Sequence, residues 1–71
     1  MFTKDTEIIL TTSQGTTRGT IGELTEYMGE ADWSRLAMLA DEHNDEDWNL
    51  YSPDATLEDL SRFFDATVAV A

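Results

Sequence analysis

The chain has 71 residues, a length that fits one folded domain and leaves no room for a second core. It carries 15 Asp and Glu residues against four Lys and Arg, for a formal charge of −11, yet 41% of its residues are hydrophobic. The hydrophobic content excludes a plain disordered acidic tail, and the shortage of basic residues excludes a conventional nucleic-acid binder. The absence of cysteine excludes disulfide scaffolds and thiolate zinc sites.

A β-hairpin is predicted at the amino terminus. Residues 6–12 are rich in β-branched side chains, residues 13–15 form a turn signal, and a second Thr-rich segment extends to Gly19. In the first strand, Ile8 and Leu10 share one face while Ile9 lies on the other. We therefore expect Ile8 and Leu10 to point into the core.

The first helix is predicted to begin at Ile21. Thr20 and Glu23 have the spacing of a capping box, in which each side chain accepts a hydrogen bond from the other residue's backbone amide. Ile21, Leu24 and Met28 recur at intervals of three and four residues. This spacing predicts a short helix with one buried stripe.

A second helix is predicted from a cap at Asp32 toward His43. Its apolar face contains Trp33, Leu36, Ala37 and Ala40. Because this face is wide, we expect the segment to be the central core helix.

In the carboxyl-terminal third of the chain, a segment of alternating polar and apolar residues precedes a predicted helix. The alternation in residues 47–51 predicts a short strand with Trp48 and Leu50 directed inward. A third helix follows, capped either by Ser52 or by Thr56. Its apolar positions are Leu57, Leu60, Phe64 and a less certain Phe63. Residues 67–71 fit either an extension of this helix or a final strand, and their alternation slightly favours the strand.

This order of elements predicts an α+β fold for a single acidic domain spanning residues 1–71. The amino-terminal β-hairpin belongs to a short, mostly antiparallel sheet covered by two to three helices. An all-helical domain with a short hairpin is the alternative. The sequence shows neither a signal peptide nor an apolar run of about 20 residues. We therefore expect no membrane association and a cytoplasmic location, which would be the host cytoplasm for a phage protein.

No catalytic or metal site is predicted. His43 lies among carboxylates and is interpreted as a solvated loop residue in preference to a pH sensor or metal ligand. A calcium loop counted from Asp41 fails at its sixth and twelfth positions, which are Glu46 and Ser52. No serine has a recognisable nucleophile context. We expect a protein that is not an enzyme and that has no cofactor.

Negative charge is concentrated in the second part of the chain. Apart from Asp5 and Glu7, all acidic residues lie between Glu23 and Asp65, where Arg35 is one of only two basic residues. Such crowding destabilises a small domain through self-repulsion, so a function is expected to maintain it. The residues predicted to bind a partner are Glu23, Glu26, Glu30, Asp41, Glu42, Asp45, Glu46, Asp47, Tyr51, Asp54, Glu58 and Asp59.

Three explanations for this charge remain open. The first is an inhibitor that binds a basic, nucleic-acid-binding surface of a partner protein, its carboxylates replacing phosphates. In size and charge the chain resembles the small acidic phage inhibitors of this DNA-mimic type, which include anti-CRISPR and anti-restriction proteins. The second is an adaptor or antitoxin-like protein that docks through exposed aromatic side chains, with Tyr27, Tyr51 and Phe63 as candidates. The third is a halophile-type domain whose charge serves solubility alone.

Overall fold

The computed structural model describes residues 1–28 and 31–71, with backbone alone at residues 31 and 32. The elements run in the order β1 (Glu7–Thr12), β2 (Gly15–Thr20), α1 (Ile21–Glu26), α2 (Ala31–Glu42), α3 (Leu57–Phe64) and β3 (Thr67–Val70). This is a small α+β domain in which three helices accompany an antiparallel sheet, as predicted. No helix within the described residues is both long and apolar enough to cross a bilayer.

The sheet has the strand order β2-β1-β3, so the first strand lies in the middle. The hairpin register pairs Ile9 with Arg18, and the other edge pairs Leu10 with Val68. Gly15 has a φ of 134°, which a residue with a side chain rarely adopts and which lets the chain turn between β1 and β2. The hairpin is confirmed, and so is the favoured strand in residues 67–71.

Two capping boxes define where helices begin. The Thr20 hydroxyl accepts a hydrogen bond from the Glu23 amide at the start of α1, as the sequence predicted. At the start of α3, Thr56 and Asp59 form the same reciprocal arrangement. Thr56 is therefore the cap of α3, and Ser52 is not.

The core lies between the central strand and the helices. Its buried members are Ile8, Ile21, Leu24, Leu39, Trp48, Leu50, Leu60, Phe63 and Val68. Leu10, Leu36 and Phe64 are only partly buried against it. The candidate role of Phe63 as an exposed anchor was wrong, because this ring is completely buried, whereas its place among the apolar positions of α3 is confirmed. The prediction that Leu57 lies in the core was also wrong, since it is 40% exposed.

Helix α2 is rotated relative to the face that the sequence predicted. Leu39 is fully buried, whereas Trp33 is 76% exposed. The helix begins at Ala31, so Asp32 lies within it and does not cap it. A helix of this composition has apolar residues around more than half of its circumference, and packing against α3 selects the side that includes Leu39.

Residues 47–51 form turns, and the predicted strand is absent from this described segment. Trp48 and Leu50 are nevertheless buried, as the alternation suggested. The Ser52 amide donates to the Asn49 carbonyl oxygen over 3.1 Å, which closes a turn. Alternation therefore located the buried side chains correctly but not the backbone conformation.

Candidate partner-binding surface

Exposed carboxylates extend from the last turn of α2 to the first turn of α3. Here the name "acidic surface" denotes seven of them: Asp41, Glu42, Asp45, Glu46, Asp47, Asp54 and Glu58. All seven residues are exposed. Glu42 forms an ion pair with Arg62 of α3, with 2.7 Å between Oε1 and Nη2, which links the two helices. The acidic surface thus spans the end of α2, the connecting loop and the first turn of α3.

The end of α2 is fixed by a backbone motif. The Asn44 amide donates to the Asp41 carbonyl oxygen, and the Asp45 amide donates to the Ala40 carbonyl oxygen, each over 3.1 Å. Asn44 has a φ of 57°, the left-handed conformation that Asn tolerates better than most residues. Together these features form a Schellman motif, which ends the helix and turns the chain sharply into the loop that connects α2 to α3.

Side chains of the loop itself hold its backbone. An Asp45 carboxylate oxygen accepts a hydrogen bond from the Asp47 amide, and the Asn49 side-chain oxygen accepts one from the Tyr51 amide. The Ser52 hydroxyl oxygen accepts from the Asn49 amide. These short-range contacts are typical of Asp, Asn and Ser in turns. They give the exposed carboxylates a defined backbone despite the absence of regular secondary structure.

His43, just after α2, contacts both the connecting loop and α3. Its Nε2 lies 3.1 Å from Oδ1 of Asp59, and its Nδ1 lies 3.3 Å from Oδ2 of Asp54. The imidazole stacks on the Trp48 ring, with 4.4 Å between the ring centroids and 10° between the planes. The Trp48 indole N–H donates to Oδ1 of Asp54. The interpretation of His43 as a solvated loop residue was therefore wrong.

The geometry around His43 favours the doubly protonated ring. A neutral imidazole has one N–H donor and one acceptor nitrogen, whereas both nitrogens of His43 face carboxylate oxygens. Only the imidazolium supplies a donor to each. The hydrogen bond to Asp59 raises the pKa of His43, burial opposes that rise, and the charges of Asp59, Asp54 and Glu42 add to it.

Asp59 does not belong to the exposed surface on which the sequence placed it. It is 8% exposed, caps α3 through Thr56 and contacts His43. Burial by itself would raise the pKa of Asp59, but the hydrogen bonds from Thr56 and His43 outweigh burial and lower it. Asp59 is thus an internal support for the acidic surface and cannot face a partner.

The other predicted partner-binding residues are dispersed. Glu23 is exposed but is engaged in the capping box of α1, and Glu26 lies exposed at the end of the same helix. Glu30 lies outside the described residues. Tyr51 is 38% exposed beside the acidic surface. Helix α1 ends at Glu26, so Glu23 and Glu26 are the two predicted partner-binding residues within it.

Sequence reasoning missed the exposure of Trp33. Its ring lines a groove of about 200 Å³ together with Leu36, Ala37, Ala40, Glu46 and Trp48. An exposed tryptophan is unusual enough to mark a binding surface when it adjoins a groove. The only sequence signal was the width of the apolar face of α2, which is too wide to be buried entirely against the core.

No convergent metal site is present among the described residues. The carboxylates of Asp54 and Asp59 face opposite nitrogens of His43, so their oxygens do not converge on a common cation. No family model, curated protein sequence or solved structure matches the chain. A functional assignment for this protein therefore depends on the geometry and charge of its own residues.

The contacts of His43 predict a specific pH dependence of stability. Because its pKa is raised on folding, its stabilising contribution is complete below its ordinary value of 6.5 and is lost as the pH rises through the raised value. The contribution of Asp59 is present above its ordinary value of 3.8 and is lost as the pH falls through the lowered value. The cluster therefore stabilises the fold most at mildly acidic pH.

Thermal melts of the wild type and His43→Gln across the range from about pH 6 to about pH 8.5 test this linkage. Glutamine keeps a hydrogen-bond donor but does not titrate in this range. The wild type should exceed the variant in melting temperature at the acidic end, and the difference should shrink as the pH rises. Both proteins keep all the carboxylates of the acidic surface, so their titration affects both equally. A difference in melting temperature that stays constant with pH would contradict the role of His43.

Proposed function

We propose that this protein binds, through its acidic surface, a basic surface of a partner that normally holds nucleic acid, and thereby blocks it. The carboxylates take the place of phosphates, which duplex DNA presents at about one charge per 1.7 Å of its axis. A protein that binds DNA offers Lys and Arg groups suited to such an array. The proposal concerns a class of partner, defined by its charge and ligand, and no cofactor or membrane takes part.

The observation that carries the proposal is the fixed arrangement of exposed carboxylates. Of the seven, Glu42 is paired with Arg62 and Asp54 with His43, and among the described contacts the other five have no cationic partner. The Schellman motif at Asn44 and the cluster at His43 hold their backbone in place. This preorganisation favours binding, because a loop backbone that is already ordered loses less conformational entropy when a partner binds its carboxylates.

Capture from a lysate of the source organism at low salt tests the proposal. The bound partner should elute as the salt concentration rises and should itself bind nucleic acid. Changing Asp45→Asn, Glu46→Gln and Asp47→Asn together should weaken capture about tenfold or more and flatten its salt dependence. The Asn at position 45 retains the oxygen that accepts from the Asp47 amide, so the loop should keep its conformation.

Competition by nucleic acid identifies the mechanism. Added duplex or single-stranded nucleic acid should displace the protein, because both ligands require the same basic groups. Undiminished capture by the neutralised triple variant, with no displacement by nucleic acid, would contradict the proposal. The triple variant should melt at the same temperature as the wild type or higher, since repulsion has been relieved.

A second candidate function is an adaptor that docks through aromatic side chains, and the exposure of Tyr27 favours it. This side chain is 88% exposed and borders an apolar groove with Leu10, Leu24, Met28 and Phe64. Replacing Tyr27 or Tyr51 with Ala separates the two functions. An adaptor should lose more affinity from one of these changes than from the triple neutralisation, whereas the inhibitor should respond in the opposite order.

A further inference from the structure

The outer face of α2 carries a groove with an apolar floor and a charged edge, here called the Trp33 groove. Its lining comprises the exposed Trp33, the apolar residues Leu36, Ala37, Ala40 and Trp48, here called the floor, and one charged residue, Glu46. A second concavity continues from Ala37 and Ala40 toward Asp41, Asp45 and Glu46. The two concavities share lining residues, so apolar and negatively charged surfaces are continuous there.

Charge complementarity selects the occupant of this groove. An uncharged apolar segment could pack on the floor, but it would leave the negative charges of Glu46 and the neighbouring carboxylates without a positively charged partner. An arginine satisfies both surfaces, because its alkyl stem and guanidinium plane lie well on an exposed indole while its N–H groups pair with a carboxylate. The alanines at positions 37 and 40 leave space in the floor for an aliphatic side chain next to that arginine.

We propose that the Trp33 groove receives a segment of the partner in which an arginine stacks on Trp33 and pairs with Glu46, while an adjacent aliphatic side chain occupies the floor. This inference rests on the proposed function and deepens it, since it specifies which basic surface is recognised. The acidic surface then attracts any basic protein, and the groove discriminates among them.

Direct titration with a defined peptide tests the groove. The probe is an acetylated, amidated hexapeptide with two arginines, two leucines and two alanines, added to the full chain labelled with ¹⁵N. The chain has only two tryptophans, so its two indole N–H signals are readily distinguished. The Trp33 signal should shift and saturate, whereas the Trp48 signal, whose N–H is bonded to Asp54, should move less.

Matched probes and variants separate the contributions. Citrulline in place of arginine, or serine in place of leucine, should weaken binding about tenfold in each case. Trp33→Ala should produce a similar loss, because it removes the ring on which the arginine stacks. Met38→Ala removes another exposed apolar side chain of α2, one that does not line the groove, and should leave the affinity unchanged. Trp33 is mostly exposed, so its replacement should not unfold the domain.

The outcomes distinguish the groove from the function on which it rests. If Trp33→Ala binds the peptide as tightly as the wild type does, the groove proposal is overturned and the acidic surface remains. If the peptide fails to bind, or Met38→Ala loses as much affinity as Trp33→Ala, the groove proposal is also overturned. If the peptide saturates Trp33 but nucleic acid never displaces the natural partner, the groove stands and the inhibitory function fails.

Discussion

Replacing Leu60 with Ala should destabilise the domain by about 2–5 kcal/mol, because a fully buried leucine leaves a cavity that the surroundings only partly fill. A chain of this length has a total stability of roughly 4–10 kcal/mol. Leu60→Ala should therefore remove a large part of the stability and lower the melting temperature by many degrees, as measured by circular dichroism.

Leu57→Ala is the matched control, since the same substitution is made in the same helix at a side chain that is 40% exposed. It should cost less than half as much as Leu60→Ala. Equal effects of the two changes would contradict the placement of α3 against the core. Urea titration gives the free energies, and an unchanged m value would confirm that the denatured state is the same in both variants.

Replacing Trp48 with Ala should cost about 3–5 kcal/mol, since the change removes a large buried ring from a loop without regular secondary structure. It also removes the surface on which His43 stacks and the donor to Asp54. The variant should lose the difference in pH dependence that distinguishes the wild type from His43→Gln. Thermal melts at several pH values measure both effects.

Trp48→Phe is the corresponding control. Phenylalanine retains an aromatic face against His43 and most of the buried volume but lacks the N–H group. Because Asp54 is largely exposed and can bond to water, losing that donor should cost little. If Trp48→Phe were as damaging as Trp48→Ala, the hydrogen bond rather than packing would dominate, contrary to the arrangement described.

Features that depend on neighbouring residues were predictable from the sequence. The capping box at Thr20 and Glu23 and the turn at Gly15 depend on contacts within a few residues, so the sequence pattern contains their causes. The choice between two caps for α3 was open because both Ser52 and Thr56 satisfy local rules. Only Thr56 has Asp59 three positions later to complete the reciprocal bond.

Features that depend on packing between distant elements were not predictable. The side of α2 that is buried depends on contact with α3, and several orientations of its broad apolar face satisfy the local pattern equally. The burial of Phe63 has the same origin, since adjacent Phe63 and Phe64 compete for the core and the approach of β3 decides between them. Alternation in residues 47–51 mimicked a strand because the irregular backbone here also buries Trp48 and Leu50 and exposes the residues between and beside them.

The candidate site was predictable as a concentration of charge but not as a geometry. The sequence identified the acids of residues 41–47, and the structure confirms that they are exposed. The sequence gave no means of pairing His43 with carboxylates 11 and 16 positions away in the chain. Asp59 was assigned to the surface because a buried carboxylate requires a specific partner, and that partner lies on another element.

The most direct test of the central claim, that the position of the charge and not its total amount determines binding, compares two double variants. Glu46→Gln with Asp47→Asn removes two charges from the acidic surface. Asp5→Asn with Asp65→Asn removes two exposed charges elsewhere, and Asn is well suited to the left-handed φ of 54° at position 65. The salt dependence of partner affinity is measured for both and for the wild type. The account predicts a weaker affinity and a flatter salt dependence for the first pair only, whereas equal losses for both pairs, or no loss for either, would contradict it.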